Sequence, residues 1–306
     1  MAEGSRRAAR AAARHRRRVW RTVVSALVLA LAGAGLYLSL ATASRSATTT
    51  VAAVQSASPS ASPTVDLDAV LATAVAGAAS EAEGHVSVAV LDVASGARAT
   101  YGSDAVVTAS IVKADILAAL LWQAQQAGRE LTAAQKAAAA LMIEQSDNTS
   151  AGTLFEAVGG ADGLDEANQA FGLTRTTAGT DGYWGLTSTT AADQLRLLQV
   201  IFGADSVLDA DSQSYLQGLM GKISTDQDWG VSAADEDGAH TLKNGWLPRS
   251  DSGLWVVNSI GRVTHDGRDV LVAVLSDGNS TQATGIATVE SMAVAAVETL
   301  TGQASG

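Results

Sequence analysis

Few side chains in this 306-residue sequence could carry covalent chemistry, and their scarcity narrows the routes open to it. There are no cysteines, which removes a thiolate nucleophile, a disulfide framework and any cysteine-ligated metal. Of the four histidines, His15 lies in an arginine-rich tail, His85 starts a strand-like stretch, His240 precedes another, and His265 is expected in a turn with Asp266-Gly267. No G-x-S-x-G turn accompanies them and no H-E-x-x-H spacing pairs them, so neither a Ser-His-Asp triad nor a zinc centre has its expected pattern. Lysine is equally rare, at Lys113, Lys136, Lys222 and Lys243. Lys113 follows Ser110 by three residues in Ser110-Ile111-Val112-Lys113, a spacing that puts both side chains on one face of a helix. At the first turn of such a helix the N-terminus favours a developing alkoxide, and a desolvated lysine with a lowered pKa can take the serine proton. Taken singly, the pattern equally describes a serine N-cap followed by a solvated lysine.

Positioning these groups requires a framework, and the hydrophobic pattern outlines one. Leu67–Ala82 has helical spacing and alanine content, whereas His85–Leu91 alternates like a strand. Ala94-Ser95-Gly96-Ala97 reads as a turn, with a second strand returning through Tyr101. From Ala109 to about Ala234 helical stretches dominate, among them Ile111–Gln126, Ala133–Glu144 and Thr190–Ile201, with no strand pattern between them. Strands resume at Thr241–Trp246, Gly253–Ile260 and Val270–Ser276, and a last helix covers Gln282–Leu300. Segregated rather than alternating elements predict an α+β fold, an antiparallel sheet covered by terminal helices with an all-helical subdomain inserted into it.

Two further elements fall at breaks in that framework. Ser146-Asp147-Asn148 lies between two helical stretches, and Lys243-Asn244-Gly245-Trp246 opens a C-terminal strand. With Ser110-x-x-Lys113 they resemble, in order, spacing and context, the S-x-x-K, S-D-N and K-T-G set of class A β-lactamases and penicillin-binding proteins. The likeness spans most of Val65 to Thr301 and includes the α+β layout.

The resemblance implies a β-lactamase-like fold and a division of labour. Ser110 would be acylated, with Lys113 as general base or part of the relay. Ser146 would pass a proton to the leaving nitrogen, and Asn148 would bind the substrate amide while Asp147 holds the loop. Lys243 would face the substrate carboxylate, and the N–H groups of Ser110 and Trp246 would form the oxyanion hole, with Asn244 and Gly245 completing the binding strand. No metal or organic cofactor is implied. Two departures stand out. Asn244 replaces the usual Thr or Ser, and the loop Thr176–Ser188 lacks the glutamate that activates the deacylating water in efficient class A enzymes. Asp181 is the only carboxylate in that loop and is the candidate base, although its short side chain suits a surface-turn aspartate better. Slow deacylation would result. Tyr183, Trp184, Trp229, Trp246 and Trp255 could line a substrate cleft, Trp246 being the best placed and Trp255 more suited to a core.

Charge and composition set the location. Of 20 basic and 31 acidic residues, nine arginines and one glutamate precede Val65, leaving 11 against 30 and a net charge of −19 in the remainder. An acidic body without a basic patch disfavours nucleic acid. Arg6, Arg7, Arg10, Arg14, Arg16, Arg17, Arg18 and Arg21 form a basic tail (1–21) before an uncharged, mostly apolar stretch (22–43) that would reach about 33 Å as a helix. The positive-inside rule keeps the tail cytoplasmic and exports the chain beyond Ala43. A retained anchor is the favoured reading; cleavage after Ala41-Thr42-Ala43 is the alternative. Residues 44–64, rich in Ser, Thr, Ala and Pro, form a linker that would extend roughly 60 Å. Residues 65–306 are then one extracytoplasmic domain, expected to act as a monomer. Its substrate would be a β-lactam or, alternatively, a peptidoglycan stem peptide cleaved by a D,D-peptidase; a binding domain that is acylated without turnover is the third possibility.

Overall fold

The computed structural model describes residues 65–302. The expected tail, apolar span and linker (1–64) lie outside the described residues, within which no helix is long and apolar enough to cross a membrane. The described chain opens with helix α1 (Leu67–Glu81), whose first turn is capped by Asp66 accepting from the Ala69 N–H at 3.2 Å. Strands β1 (Val86–Asp92) and β2 (Arg98–Tyr101) come next, then the short β3 (Val106–Val107). A 3₁₀ turn at Ala109–Ile111 runs directly into α2 (Val112–Gln126), succeeded by α3 (Ala133–Glu144), α4 (Asn148–Ala157) and α5 (Gly160–Phe171). After a loop come β4 (Ser188–Thr189), α6 (Ala191–Phe202) and α7 (Ala210–Met220), and the chain closes with β5 (Thr241–Pro248), β6 (Trp255–His265), β7 (Arg268–Asn279) and α8 (Gln282–Gly302).

The main sheet is antiparallel in the order β2-β1-β7-β6-β5. Its central strand explains the architecture. Side chains alternate across a strand, so Val270, Val272 and Val274 of β7 join a core with Leu71 and Val75 of α1 and Val289, Met292 and Ala296 of α8. Leu271, Ala273 and Leu275 join the other core, built from α2–α7. Being buried on both faces, β7 shows a continuous apolar run instead of the in-out alternation of a half-solvated strand. The terminal helices therefore cover one face and the inserted helices the other, which is the α+β, β-lactamase-like layout expected from the sequence.

Three details correct the sequence reading. β4 interrupts the helical block and pairs with β3, through Val106 opposite Thr189. These strands are two residues long and leave no periodic trace. Helices α4, α5 and α7 carry too many polar residues and glycines to stand out as separate apolar stripes. His265 belongs to β6, paired with Arg268, and the turn is Asp266-Gly267 alone, with φ of 49° and 69°, the left-handed pair of a two-residue hairpin.

Candidate active site

Helix α2 is buried on nearly all sides, so whatever polar groups it carries must be satisfied internally. The turn before it carries Ser110. Ala109 there has a φ of 48°, a left-handed conformation uncommon for a residue with a Cβ. Three contacts hold this turn. The Thr108 N–H donates to the Thr187 carbonyl at 2.8 Å. Buried Asn258 of β6 donates through Nδ2 to the Val107 and Thr108 carbonyls at 2.9 and 3.0 Å, while its Oδ1 accepts from the Ser276 N–H at 3.1 Å. Gly245 of β5 packs so closely that a Cβ there would lie 2.6 Å from the Ser110 nitrogen and 2.7 Å from the Thr108 oxygen. Ser110 is half-buried, and its hydroxyl hydrogen-bonds to no other described residue.

Lys113, one turn into the helix, is fully buried. Its Nζ donates to the Ser146 carbonyl at 2.6 Å, the Ser146 hydroxyl at 3.0 Å and the Asn148 Oδ1 at 2.7 Å. Burial lowers its pKa from 10.5 to about 8, opposed by attraction to Asp147. Lys243 of β5 reaches the same hydroxyl from the sheet side: its Nζ donates to Ser146 Oγ at 3.1 Å and to the Asn244 carbonyl at 3.0 Å. Burial, then repulsion from Lys113, holds Lys243 well below the usual lysine range. Two desolvated amines on one hydroxyl cannot both hold a proton cheaply, so they titrate as a coupled pair. Ser146 sits between α3 and α4 with a φ of 57°, a bend that turns both its hydroxyl and its carbonyl toward the lysines. Asp147 caps α4, accepting from the Ser150 N–H at 2.7 Å, and hydrogen bonds from the Ser150 side chain and backbone hold its carboxyl below the usual range.

The structure thus gathers Ser146, Asn148, Lys113 and Lys243 around one point, with Ser110 on the adjoining turn and Gly245 against it. β5 is the edge strand, so alternate backbone N–H and C=O groups, from Gly245 and Trp246 onward, face away from β6. Asn244 requires a correction. Alternation puts it on the face opposite Lys243, where it is buried and its Nδ2 donates to the Gln227 and Trp229 carbonyls at 2.9 and 3.0 Å. Its Nδ2 is spent on holding the 227–229 segment, while its Oδ1 is buried with no hydrogen-bond partner among the described residues. Asp181 also falls outside the cluster. It is exposed at the tip of the turn Thr180-Asp181-Gly182-Tyr183, with φ of 54° followed by 77° at Gly182, and its only side-chain hydrogen bond is from the Thr180 hydroxyl at 3.3 Å. Those angles are what an Asp-Gly turn of this type favours, a structural reason for the residue.

Among the aromatics, Trp229 and Trp246 form an edge-on pair with ring centroids 5.8 Å apart, and Trp255 packs on the core of the terminal helices. Trp184 is the surprise: Lys113 Nζ lies 4.9 Å from its ring centroid. Asn258 was missed by sequence reasoning, although a lone amide inside Trp255-Val256-Val257-Asn258-Ser259-Ile260 is a signal of a buried polar task.

Comparison with known proteins agrees with this fold. A profile described as the beta-lactamase enzyme family matches residues 128–300, more than half of the chain. The chain belongs to the β-lactamase enzyme family. The matched segment contains Ser146, Asn148 and Lys243, and Ser110 and Lys113 precede it. Solved structures of the family share the fold. A class A beta-lactamase from Bacteroides cellulosilyticus DSM 14838 superposes with a TM-score of 0.67 at 18% identity, covering 78% of this chain and 100% of that one. For a beta lactamase from Xanthomonas campestris the values are 0.64, 20%, 78% and 100%, and for one from Burkholderia vietnamiensis 0.65, 20%, 76% and 96%. No curated protein matches the chain.

Proposed function

We propose that this β-lactamase-family protein is a serine hydrolase that is acylated at Ser110 by the amide carbonyl of a β-lactam. The observation that carries the reading is the convergence of Lys113 and Lys243 on the Ser146 hydroxyl beside the Ser110 turn. In the neutral form Lys113 takes the Ser110 hydroxyl proton as Oγ attacks the carbonyl carbon. The oxyanion is met by the Ser110 and Trp246 N–H groups, a type of contact worth about 3–4 kcal/mol per donor. The C–N bond then breaks; Ser146 gives its proton to the leaving nitrogen and is reprotonated from the lysine pair. A water molecule later hydrolyses the ester. Asn148 engages the substrate amide and Lys243 its carboxylate. With a pKa of about 8, roughly a tenth of Lys113 is neutral at pH 7, so acylation proceeds there and speeds up as pH rises.

Deacylation is the slow step in this reading, because no glutamate occupies the 176–188 loop and Asp181 makes no contact with the lysines. That feature favours a second reading, a D,D-peptidase in which peptidoglycan stem peptides are the substrate. In either, the arginine-flanked 22–43 segment tethers an exported domain to the cell membrane. A chromogenic cephalosporin separates the two. Steady colour release identifies a β-lactamase, whereas one burst per protein together with D-alanine release from a stem peptide identifies the peptidase. Neither signal would remove both.

A further inference from the structure

Lys113 meets polar, charged and aromatic groups from several elements. Ser146 and Asn148 supply three acceptors from the α3–α4 break. Asp147 beside them is attractive, and Lys243 from β5 is repulsive. A further contact is the half-buried ring of Trp184, whose centroid is 4.9 Å from Nζ. A ring face at that distance attracts the ammonium through its quadrupole and at the same time occupies space that water would fill.

The loop backbone that carries the ring is held by several hydrogen bonds. The Trp184 carbonyl accepts from the Thr187 hydroxyl at 2.7 Å and from the Thr187 N–H at 3.0 Å. The Gly179 N–H donates to that hydroxyl at 3.1 Å. Gly179 itself could not be another residue, because a Cβ there would lie 2.1 Å from the Tyr183 carbonyl oxygen. The Thr187 carbonyl in turn accepts from Thr108, two residues before Ser110. The backbone at Trp184 and the Ser110 turn are therefore linked through the hydrogen bonds of Thr187 and Thr108.

We propose that Trp184 is a positioning residue for Lys113, its ring face steadying the ammonium and its bulk keeping water away from it, so that the indole sets the pH at which the lysine becomes a base. The proposal rests on Lys113 being the base of the acylation step. Its two halves act in opposite directions. The ring face favours the charged form, and the exclusion of water favours the neutral one, in line with the lowered pKa of about 8.

The test tracks Lys113 directly, apart from catalysis. The chain has only four lysines, so carbon-13 labelling at Cε resolves their NMR titrations, with Lys113→Met assigning the signal. Growth on fluorinated tryptophan keeps the shape of the ring and weakens its negative face. The Lys113 midpoint is then expected to fall by roughly half a unit to one unit, and the same labelling in Trp184→Phe is expected to leave it where that variant has it. Trp184→Ala admits water and is expected to move the midpoint upward, toward that of an ordinary lysine. A midpoint unchanged by fluorination, or shifted equally in the Trp184→Phe background, overturns the proposal. The acylation rate measured against pH is expected to move with the midpoint. Should the protein fail to be acylated while the midpoint shifts as described, the enzymatic reading fails and the Trp184–Lys113 coupling stands.

Discussion

Replacing Lys113 by methionine isolates the cost of holding a charge inside α2. A lysine whose pKa falls from 10.5 unfolded to about 8 folded binds fewer protons in the native state than in the unfolded state between those values, so stability rises with pH through that window. Below pH 8 the penalty is fully present. It amounts to about 3 kcal/mol at pH 7 and about 1 kcal/mol at pH 10, a difference of about 2 kcal/mol. Methionine removes that penalty and fills similar volume. It also forfeits the three hydrogen bonds to Ser146 and Asn148, but that loss is similar at both pH values and cancels in the comparison. Lys243, relieved of the Lys113 charge that helps depress it, adds to the effect in the same direction. Urea unfolding of both proteins, monitored by circular dichroism, should show the stability of Lys113→Met relative to the parent to be greater at pH 7 than at pH 10 by about 2 kcal/mol. A relative stability equal at the two pH values within about 0.5 kcal/mol would refute the reasoning.

Other consequences are as direct. Gly245→Ala drives a Cβ into the Ser110 and Ile111 nitrogens; it should lower the acylation rate at least about 100-fold, the size of effect expected from losing an oxyanion donor, with a stability loss of about 1–3 kcal/mol on unfolding. Asn244→Ala strips the donor from two buried carbonyls and should destabilise the protein by about 1–3 kcal/mol. A changed dependence on the substrate carboxylate without any stability loss would restore Asn244 to the binding strand. The acylation rate should climb with pH to a plateau whose midpoint lies near 8, the Lys113 value, and stopped-flow burst kinetics between pH 6 and 9.5 measure it.

How much of this was legible in the sequence depends on the range of the signal. Periodicity located α1, α8 and the strands β1, β5, β6 and β7, because each repeats its pattern over several turns or pleats. The chemical groups Ser110, Lys113, Ser146, Asn148 and Lys243 were legible as residue types at characteristic spacings. Their convergence required the sheet and the helical block to be packed together, since Lys243 and Ser146 are 97 positions apart. Asn244 misled because a motif position was taken for a side-chain direction, and strand alternation turned it to the other face. Asp181 stayed ambiguous because the only carboxylate in a loop can serve as a base, whereas Asp-Gly equally suits a tight turn. Trp184 and Asn258 were hidden for the opposite reason: their roles exist only through long-range contacts, one with Lys113 and the other with the Thr108 carbonyl.

The central claim is that Ser110 is the nucleophile, and intact-mass analysis after mixing with a β-lactam tests it most directly. The account predicts a mass gain equal to one ring-opened β-lactam, mapped by peptide sequencing to Ser110 and absent in Ser110→Ala. An adduct on any other residue, or β-lactam turnover that persists in Ser110→Ala, would contradict it.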